Sequence, residues 1–453
     1  MRARPGGLVL LLAAAPAAAL AAPGVPCSFY GMNAGAPVSQ GDVLLDEELA
    51  KEIKGAGVGS VRVSFRLDGA ADWDAGKLSE YDDIIDAVLA AKLEPVGLLA
   101  YDAVQGGQDA WNDDPDEDGL NDYVDSFAGT SQVLFAHFKG RVRQWEIWNE
   151  PSCWSSPDHA TDPQNAGCTY LLPRVFSRMM AEVFVRNEAL FAQGAVSMIA
   201  GGLFASDLGG SSSPATDYLA EVYSDGVWDS LQASVGRRYP WDRLGYHLYV
   251  DQGVETDGAT MAAYLSAVRA LAGQKGDTAP FSITEIGWTT LEVSEDVQAA
   301  NLKEAMDLLS ARADVADAHW FSFRDAPASD LYFGLTTEGG APKVALAAMR
   351  AAAAGCEGSG EDGGGGSGGG ESSGSGSIGS GAGTPGGGAY GPIRDGARES
   401  SCSYGAAGAG GRARGASWIA LLAGAALWGR ATRGARGAAP RMASRSSTPA
   451  RLP

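Results

Sequence analysis

The sequence lacks the short motifs that mark most nucleotide-binding and zinc-dependent proteins. It contains no C-x-x-C pair, no H-E-x-x-H segment and no glycine-rich phosphate-binding loop ending in Gly-Lys-Ser/Thr. The glycines of residues 55–59 precede a strand-like run instead of following one. A dinucleotide site needs the opposite order, with its glycines between a strand and the next helix. These absences argue against the commonest zinc and nucleotide functions.

Basic residues are also scarce. Lys and Arg total 34 against 55 Asp and Glu, which gives a formal net charge of −21. From residue 358 onward, ten arginines face five acidic residues, a net +5, so residues 1–357 carry the remaining −26. Because such a field repels polyanions, we expect no nucleic-acid partner and a neutral substrate.

The first residues have the pattern of a secretory signal. Arg2 and Arg4 precede an apolar run at residues 8–12, and the small-residue segment 19–21 allows cleavage before Ala22. We therefore predict a signal peptide over residues 1–21 and an exported protein, either extracellular or at the outer cell surface.

Short apolar runs alternate with amphipathic segments between residues 28 and 355. This order predicts a (β/α)₈ TIM barrel over residues 27–356, about 330 residues, which is enough for one large core. A doubly wound open sheet or two domains would fit the same pattern. The predicted strands cover residues 29–33, 59–65, 95–100, 142–149, 196–203, 244–250, 281–286 and 318–323. The predicted helices cover residues 46–55, 79–91, 123–138, 172–191, 261–272, 294–311 and 343–353.

Five cysteines in an exported chain predict two disulfide bridges and one remaining thiol. Cys153 and Cys168 lie in one loop and should pair. Cys27 and Cys356 should pair because the first strand and last helix of a barrel are neighbours. Cys402 is then the odd cysteine.

Two glutamates end strand-like runs beside tryptophan. They are Glu150, in Trp148-Asn149-Glu150-Pro151, and Glu285, in Thr284-Glu285-Ile286-Gly287-Trp288. In a barrel both would end strands four and seven at the catalytic face. A retaining glycosidase needs such a pair, with a protonated acid in apolar surroundings and an ionised nucleophile near a cation or hydrogen-bond donors.

These two motifs, 135 residues apart, resemble those of the clan A glycoside hydrolases, in particular families 5 and 39, over residues 28–355. The resemblance implies that Glu150 is the acid/base and Glu285 the nucleophile of an O-glycosidase. It also implies substrate-binding roles near the catalytic carboxylates for six further residues: Arg62, Asn149, His247, Tyr249, Trp288 and Trp320. Within this set, Arg62 would hold the nucleophile ionised, Asn149 would bond the sugar 2-hydroxyl, and Trp320 would form an aromatic floor. We expect Glu146, four residues before Glu150, to point into the barrel as a structural residue.

An acidic segment between residues 114 and 125 resembles a calcium-binding loop. Glycine stands at its sixth position, and carboxylates stand at positions 1, 3, 5, 9 and 12, which are Asp114, Asp116, Asp118, Asp122 and Asp125. The alternative is an acidic helix-capping loop, which the Asp at position 12 favours because calcium loops usually have Glu there. Calcium is the one metal that the sequence suggests, and we expect no required cofactor.

The C-terminal region differs from the rest of the chain. Gly and Ser dominate residues 357–415, which predicts a disordered linker. Residues 416–453 hold an apolar run, too short to span a bilayer comfortably, followed by Arg430, Arg433 and Arg436. Together with Cys402, this tail resembles the C-terminal sorting signals of myxobacterial surface proteins, so attachment to the membrane or cell surface should depend on it alone.

The sequence therefore predicts a monomeric, exported, retaining glycoside hydrolase that cleaves a neutral β-linked glycan or oligosaccharide. One alternative is a surface protein that binds sugar but has little or no turnover. Another is a transglycosylase that uses the same residues. The sequence does not identify the sugar.

Deleting residues 357–453 should release active protein into the medium, because the deletion removes both Cys402 and the arginine cluster. Activity in cell and medium fractions measures this. A control that lacks only residues 360–395 should stay on the cells, and retention of the full deletion would contradict the anchoring role.

Overall fold

The computed structural model describes residues 24–156, 158–159, 161–207 and 212–356. The predicted signal peptide, Gly/Ser-rich linker and arginine-rich tail lie outside these ranges, as does Cys402. Within the described ranges, no helix combines the length and apolar character needed to cross a membrane.

Eight parallel strands form a closed barrel in chain order. Closure is visible at the first strand, where Gly31 pairs with Ser60 of the second strand on one side and with His319 of the eighth on the other. The barrel prediction is confirmed, and the open-sheet alternative is wrong. The strands, numbered β1 to β8, are Tyr30–Asn33, Ser60–Phe65, Glu94–Leu99, Gln144–Asn149, Ser197–Ser206, Arg243–Tyr249, Phe281–Ile286 and Val315–Trp320. A two-stranded hairpin, Val38–Ser39 with Asp42–Val43, follows β1.

Helices connect successive strands of the barrel. Several begin at side-chain caps, as at Asp46 and Ser294, which accept hydrogen bonds from the backbone N–H of Leu49 at 2.9 Å and Val297 at 3.2 Å. In the described chain the helices are Glu47–Lys54, Ala75–Ala90, Gln108–Trp111, Asp122–His137, Pro173–Arg186, Glu188–Ala192, Thr216–Ser224, Val227–Val235, Ala259–Gln274, Glu295–Ser310 and Val344–Ala353.

All seven predicted helices are present, with two differences. The predicted helix over residues 172–191 is interrupted at Asn187, whose side chain donates to Ser131 Oγ at 2.8 Å and to Val183 O at 2.8 Å. The two helices between β5 and β6 were not predicted. They are only nine residues each and are separated by Asp225 and Gly226, so neither gives a long periodic signal.

Both predicted disulfide bridges are present. Cys27 and Cys356 join the segment before β1 to the end of the last helix, with a Cα–Cα distance of 4.8 Å. Cys153 and Cys168 close the loop after β4, with a Cα–Cα distance of 5.8 Å. The first bridge ties the two ends of the barrel domain together, and the second lies beside Glu150.

Replacing Cys27 and Cys356 together by serine should lower the free energy of unfolding by roughly 2–5 kcal/mol, because the bridge closes a very long loop and restricts the unfolded chain. Denaturant unfolding measures this change. Cys402→Ser serves as the control and should leave the midpoint unchanged. An unchanged midpoint in the double variant would show that the bridge does not stabilise the domain.

Candidate active site

Arg62 lies at the centre of the site. It is on β2, its side chain is 4% exposed, and its guanidinium contacts side chains from four other positions. Nε donates to Glu146 Oε2 at 2.5 Å, Nη1 to Glu285 Oε1 at 2.6 Å and to Asn33 Oδ1 at 3.0 Å, and Nη2 to Asn149 Oδ1 at 2.9 Å. These contacts raise the pKa of Arg62 even though burial opposes its charge. One guanidinium therefore orients groups on β1, β4 and β7.

Glu285 on β7 has a donor on each carboxylate oxygen. Arg62 Nη1 contacts Oε1, and the hydroxyl of Tyr249 on β6 donates to Oε2 at 2.6 Å. Both donors stabilise negative charge on this carboxylate and fix its orientation. Burial, followed by the charge of Glu285, raises the pKa of Tyr249 well above its usual value, so Tyr249 stays a donor.

Glu150 immediately follows β4 and is held in an unusual backbone conformation. Its φ is +52°, and Trp148 two residues earlier has φ +73°, a region that costs a non-glycine residue free energy unless surrounding contacts hold it. The Glu150 N–H donates to Gly202 O at 3.1 Å, and Thr169 Oγ1 donates to Glu150 O at 3.1 Å. Trp148 Nε1 in turn donates to Thr169 O at 2.8 Å. These bonds aim the Glu150 side chain into the barrel mouth.

The two carboxylates lie close together in different environments. Oxygens of Glu150 and Glu285 and a ring nitrogen of His247 all lie within 4.8 Å of one another. Burial raises the pKa of Glu150, and the charge of Glu285 raises it further, against the opposing hydrogen bond and charge of His247. Glu150 can therefore hold a proton, whereas Glu285 faces a permanent cation.

His247 and Glu146 connect the pair to the barrel interior. His247 Nδ1 lies 2.9 Å from Glu150 Oε1, and Nε2 lies 3.6 Å from Glu146 Oε1. Burial would lower the pKa of His247, but Glu285, Glu146 and Glu150 raise it to about 9. For Glu146, which is an acid, burial would raise the pKa, but Arg62 and His247 lower it to about 2. Glu146 is structural, as expected, and it is charged.

A glycine on β5 makes room for this network. A Cβ on Gly202 would lie 2.0 Å from His247 Nε2 and 2.8 Å from Glu146 Oε1. The Gly202 N–H also donates to Glu146 Oε1 at 2.9 Å. No larger residue could occupy this position without displacing the imidazole.

A cavity of about 390 Å³ opens above the two carboxylates. Its wall contains five residues that the sequence identified: Arg62, Asn149, Glu150, Tyr249 and Glu285. It also contains residues that the sequence did not identify: Asn33, Arg66, Tyr101, Asp102, Phe204, Phe321 and Phe333. Asn33 could have been identified from the sequence, because it is a polar residue at the end of an apolar strand, as Asn149 is.

Trp288 and Trp320 are placed differently from the prediction. Both are fully buried, their Nε1 atoms donate to Asp251 O at 3.1 Å and Phe333 O at 3.0 Å, and neither belongs to the cavity wall. Phe321, the residue after Trp320, lines the cavity instead. The two tryptophans therefore support the wall from behind.

The carboxylates of the acidic loop do not converge. Asp114 pairs with Arg174 and accepts from the Gly119 N–H at 3.1 Å, and Asp125 pairs with Arg186. Among described residues, the groups of three close metal-ligating side chains involve Glu150 with His247 and Glu285, or with the disulfide-bonded Cys153 and Cys168, and not this loop. The arrangement favours the capping alternative, in which Asn121 caps the helix from Asp122 by accepting from the Val124 N–H at 2.8 Å. Calcium binding stays an untested prediction.

Comparisons with known proteins support the fold. No family model matches the chain, and no curated protein matches it in sequence. Among solved structures, ZgEngAGH5_4 in complex with a cellotriose has a TM-score of 0.51 at 13% identity, covering 72% of this chain and 96% of that one. A family 39 glycoside hydrolase from Bacteroides cellulosilyticus WH2 has a TM-score of 0.48 at 17% identity, covering 73% of this chain and 64% of that one. Xylanase 10B from Thermotoga maritima has a TM-score of 0.48 at 12% identity, covering 72% and 95%.

These identities are too low to carry more than the fold. The first of the three likenesses confirms the TIM barrel, and the chain spans slightly less than two thirds of the family 39 enzyme. The reaction must be argued from the site itself.

The charge on His247 predicts a specific pH dependence of stability. Its pKa is about 9 in the folded protein against 6.5 for the free side chain. The contribution of charged His247 to the free energy of unfolding is therefore fully present below pH 6.5 and is lost as the pH rises through 9. The free energy of unfolding should fall by on the order of 3 kcal/mol across this window.

The His247→Gln variant should lack this fall, as measured by denaturant unfolding at several pH values. His137→Gln is the matched control, because His137 lies near the outer surface beside Asp82, and it should keep the wild-type profile. Parallel profiles for wild type and His247→Gln would show that folding does not raise the pKa of His247.

Proposed function

We propose that this protein is a retaining glycoside hydrolase that cleaves a neutral β-linked glycan or oligosaccharide. One observation carries the proposal: two buried carboxylates end β4 and β7, have oxygens within 4.8 Å of each other, and sit in opposite electrostatic environments. Retaining enzymes place their carboxyl groups about 5–5.5 Å apart, whereas inverting enzymes need about 6.5–9.5 Å to admit a water between them.

Each carboxylate has the surroundings that its step requires. Glu285 is held by Arg62 and Tyr249 and attacks the anomeric carbon, while Glu150 donates its proton to the departing glycosidic oxygen. The leaving alcohol departs and a covalent glycosyl-enzyme forms on Glu285. Glu150, now ionised, removes a proton from water, which attacks the same carbon and releases the sugar with its original configuration.

His247 supports the change in the role of Glu150. Its Nδ1 lies at hydrogen-bond distance from Glu150 Oε1, and its pKa of about 9 keeps it cationic at neutral pH. When Glu150 has given up its proton, the imidazolium stabilises the new carboxylate. Burial favours protonated Glu150 in the first step, where Glu150 is the acid. The His247 imidazolium favours ionised Glu150 in the second step, where Glu150 is the base.

Two features support a neutral glycan as substrate. The domain is strongly acidic, which disfavours anionic polymers. The cavity wall combines hydrogen-bonding groups with Phe204, Phe321 and Phe333, and sugars present both hydroxyls and an apolar ring face. The motif resemblance supports the β-linkage. We further propose an exported monomer held at the cell surface through its tail.

Variants of the two glutamates test the assignment on an aryl β-glycoside panel. Glu285→Gln should reduce turnover roughly 10⁴-fold or more on every substrate, because no nucleophile remains. Glu150→Ala should retain the first step on substrates with good leaving groups, and azide should restore the second step as the β-glycosyl azide. Glu221→Gln, an exposed carboxylate on an outer helix, is the control and should behave as wild type.

Proton NMR of the first-formed product identifies the stereochemistry. Retained configuration is expected, and inverted product or a near-normal rate for Glu285→Gln would contradict the assignment. A wild-type protein that binds glycosides without cleaving them would instead support the alternative of a sugar-binding surface protein.

A further inference from the structure

A charged pair lies in the cavity wall outside the Arg62 network. Arg66 follows the end of β2, Asp102 follows the end of β3, and Arg66 Nε lies 3.3 Å from Asp102 Oδ2. Both residues line the cavity, and their side chains are 17% and 39% exposed. The reaction proposed above makes no use of either group.

The backbone around Asp102 is held in place, and its carboxylate is open to a ligand. The Leu67 N–H donates to Asp102 O at 2.8 Å, which ties the β2 and β3 loops together, and the Arg66 N–H donates to Tyr81 Oη at 2.7 Å. Burial raises the pKa of Asp102, and the charge of Arg66 opposes that rise by favouring the ionised carboxylate, which offers about four lone-pair positions. One ion pair at 3.3 Å leaves Asp102, on the cavity wall and 39% exposed, able to accept hydrogen bonds from ligand hydroxyls.

Asp102 is also close to the reacting groups. Tyr101, its neighbour in the chain, lines the same cavity. Burial raises the pKa of Tyr101, and the charges of Asp102, Glu150 and Glu285 raise it further. Asp102, Glu150 and Glu285 all line the same cavity of about 390 Å³, so a sugar bound there shares the cavity with all three carboxylates.

The opposite side of the cavity is aromatic. Tyr249 on β6 lies 6.1 Å from Phe204 and 6.0 Å from Phe333 between ring centroids, and Phe333 lies 5.5 Å from Phe321. The strand order places β2 and β3 across the barrel from β6 and β7. A sugar ring bound in this cavity can place an apolar C–H face against the aromatic rings, while the hydroxyls around its edge stay available to polar groups of the wall such as Asp102.

We propose that Asp102, held by Arg66, is a specificity-determining residue that accepts hydrogen bonds from two neighbouring hydroxyls of the sugar whose glycosidic bond is cleaved. In a pyranoside the neighbouring secondary hydroxyls are the 2,3 and 3,4 pairs, so either arrangement includes the 3-hydroxyl. The inference rests on the proposed hydrolase function and names the substrate group that the site selects.

The test combines an enzyme substitution with a substrate deletion in the full-length protein. The parent substrate is the nitrophenyl β-glycopyranoside that the wild type cleaves best, and it is compared with its 3-deoxy and 6-deoxy analogues. For the wild type, removal of the 3-hydroxyl should lower kcat/KM roughly 10- to 100-fold, as expected for a lost hydrogen bond to a charged acceptor.

Asp102→Asn should lower kcat/KM on the parent by a similar factor and should then lose less than about threefold more on the 3-deoxy analogue, because the same contact is already gone. On the 6-deoxy analogue the two losses should multiply. Asp68→Asn is the matched control: it removes a nearby charge that is absent from the cavity wall and accepts from the Gly41 N–H at 3.0 Å. It should leave the wild-type preference for the parent intact.

The role of Asp102 would be overturned if the loss in kcat/KM from Asp102→Asn and the loss from removing the 3-hydroxyl multiply. It would also be overturned if the substitution changes the loss on the 3-deoxy and 6-deoxy analogues equally. If the wild type cleaves no aryl glycoside, the proposed hydrolase function fails separately. In that case, calorimetric titration with the methyl β-glycosides of the same sugars measures the effects of Asp102→Asn and of the 3-hydroxyl on the dissociation constant. Losses in affinity that do not multiply support the role of Asp102, and losses that multiply contradict it.

Discussion

The active site depends on the buried guanidinium of Arg62. Its charge in the barrel interior would be very costly without partners, because an isolated buried ion loses its hydration and gains nothing in return. Glu146 and Glu285 provide opposite charges, and Asn33 and Asn149 accept hydrogen bonds from the remaining donors. Since the guanidinium is planar and its donors have fixed directions, satisfying it also fixes the orientation of Glu285.

The buried charge of Arg62 also explains why a third carboxylate, that of Glu146, is present in the site. Arg62 and His247 carry two positive charges beside Glu285, and Glu146 lies between them, 0% exposed, accepting bonds from Arg62, Thr284 and the Gly202 N–H. Without Glu146 the two cations would repel each other across the barrel and compete for the catalytic pair. Glu146 therefore stabilises Arg62 and His247, the two cations beside Glu285, although it has no direct part in the proposed reaction.

The barrel strands and the segment just after β4 position different residues of this site. Arg62, Glu146, His247 and Glu285 project from barrel strands, whose pairing on both sides fixes their positions. Glu150 lies just beyond β4 with positive φ, and its backbone is held by Gly202 and Thr169 beside the Cys153–Cys168 bridge. The strands supply the charged groups of the site, and the loop after β4 brings a carboxylate oxygen of Glu150 to within 4.8 Å of one of Glu285.

The sequence by itself determined the barrel, the Cys153–Cys168 bridge and both catalytic candidates, because each depends on local patterns: apolar runs of strand length, two cysteines in one loop, and glutamates at strand ends. The Cys27–Cys356 bridge, between residues 329 positions apart, followed from the barrel closure that those patterns predict. Which aromatic faces the cavity was decided by the tertiary structure. The motif resemblance placed Trp320 at the floor of the cavity, but the β8–β7 pairing shifts register between Ala318 and Trp320, and the next residue, Phe321, lines the cavity instead. The side-chain partners of the acidic loop were decided in the same way, because the arginines that pair with Asp114 and Asp125 come from a helix about 60 positions later. Side-chain partners that distant in sequence are set by how helices and strands meet around the closed barrel, and no local pattern records them.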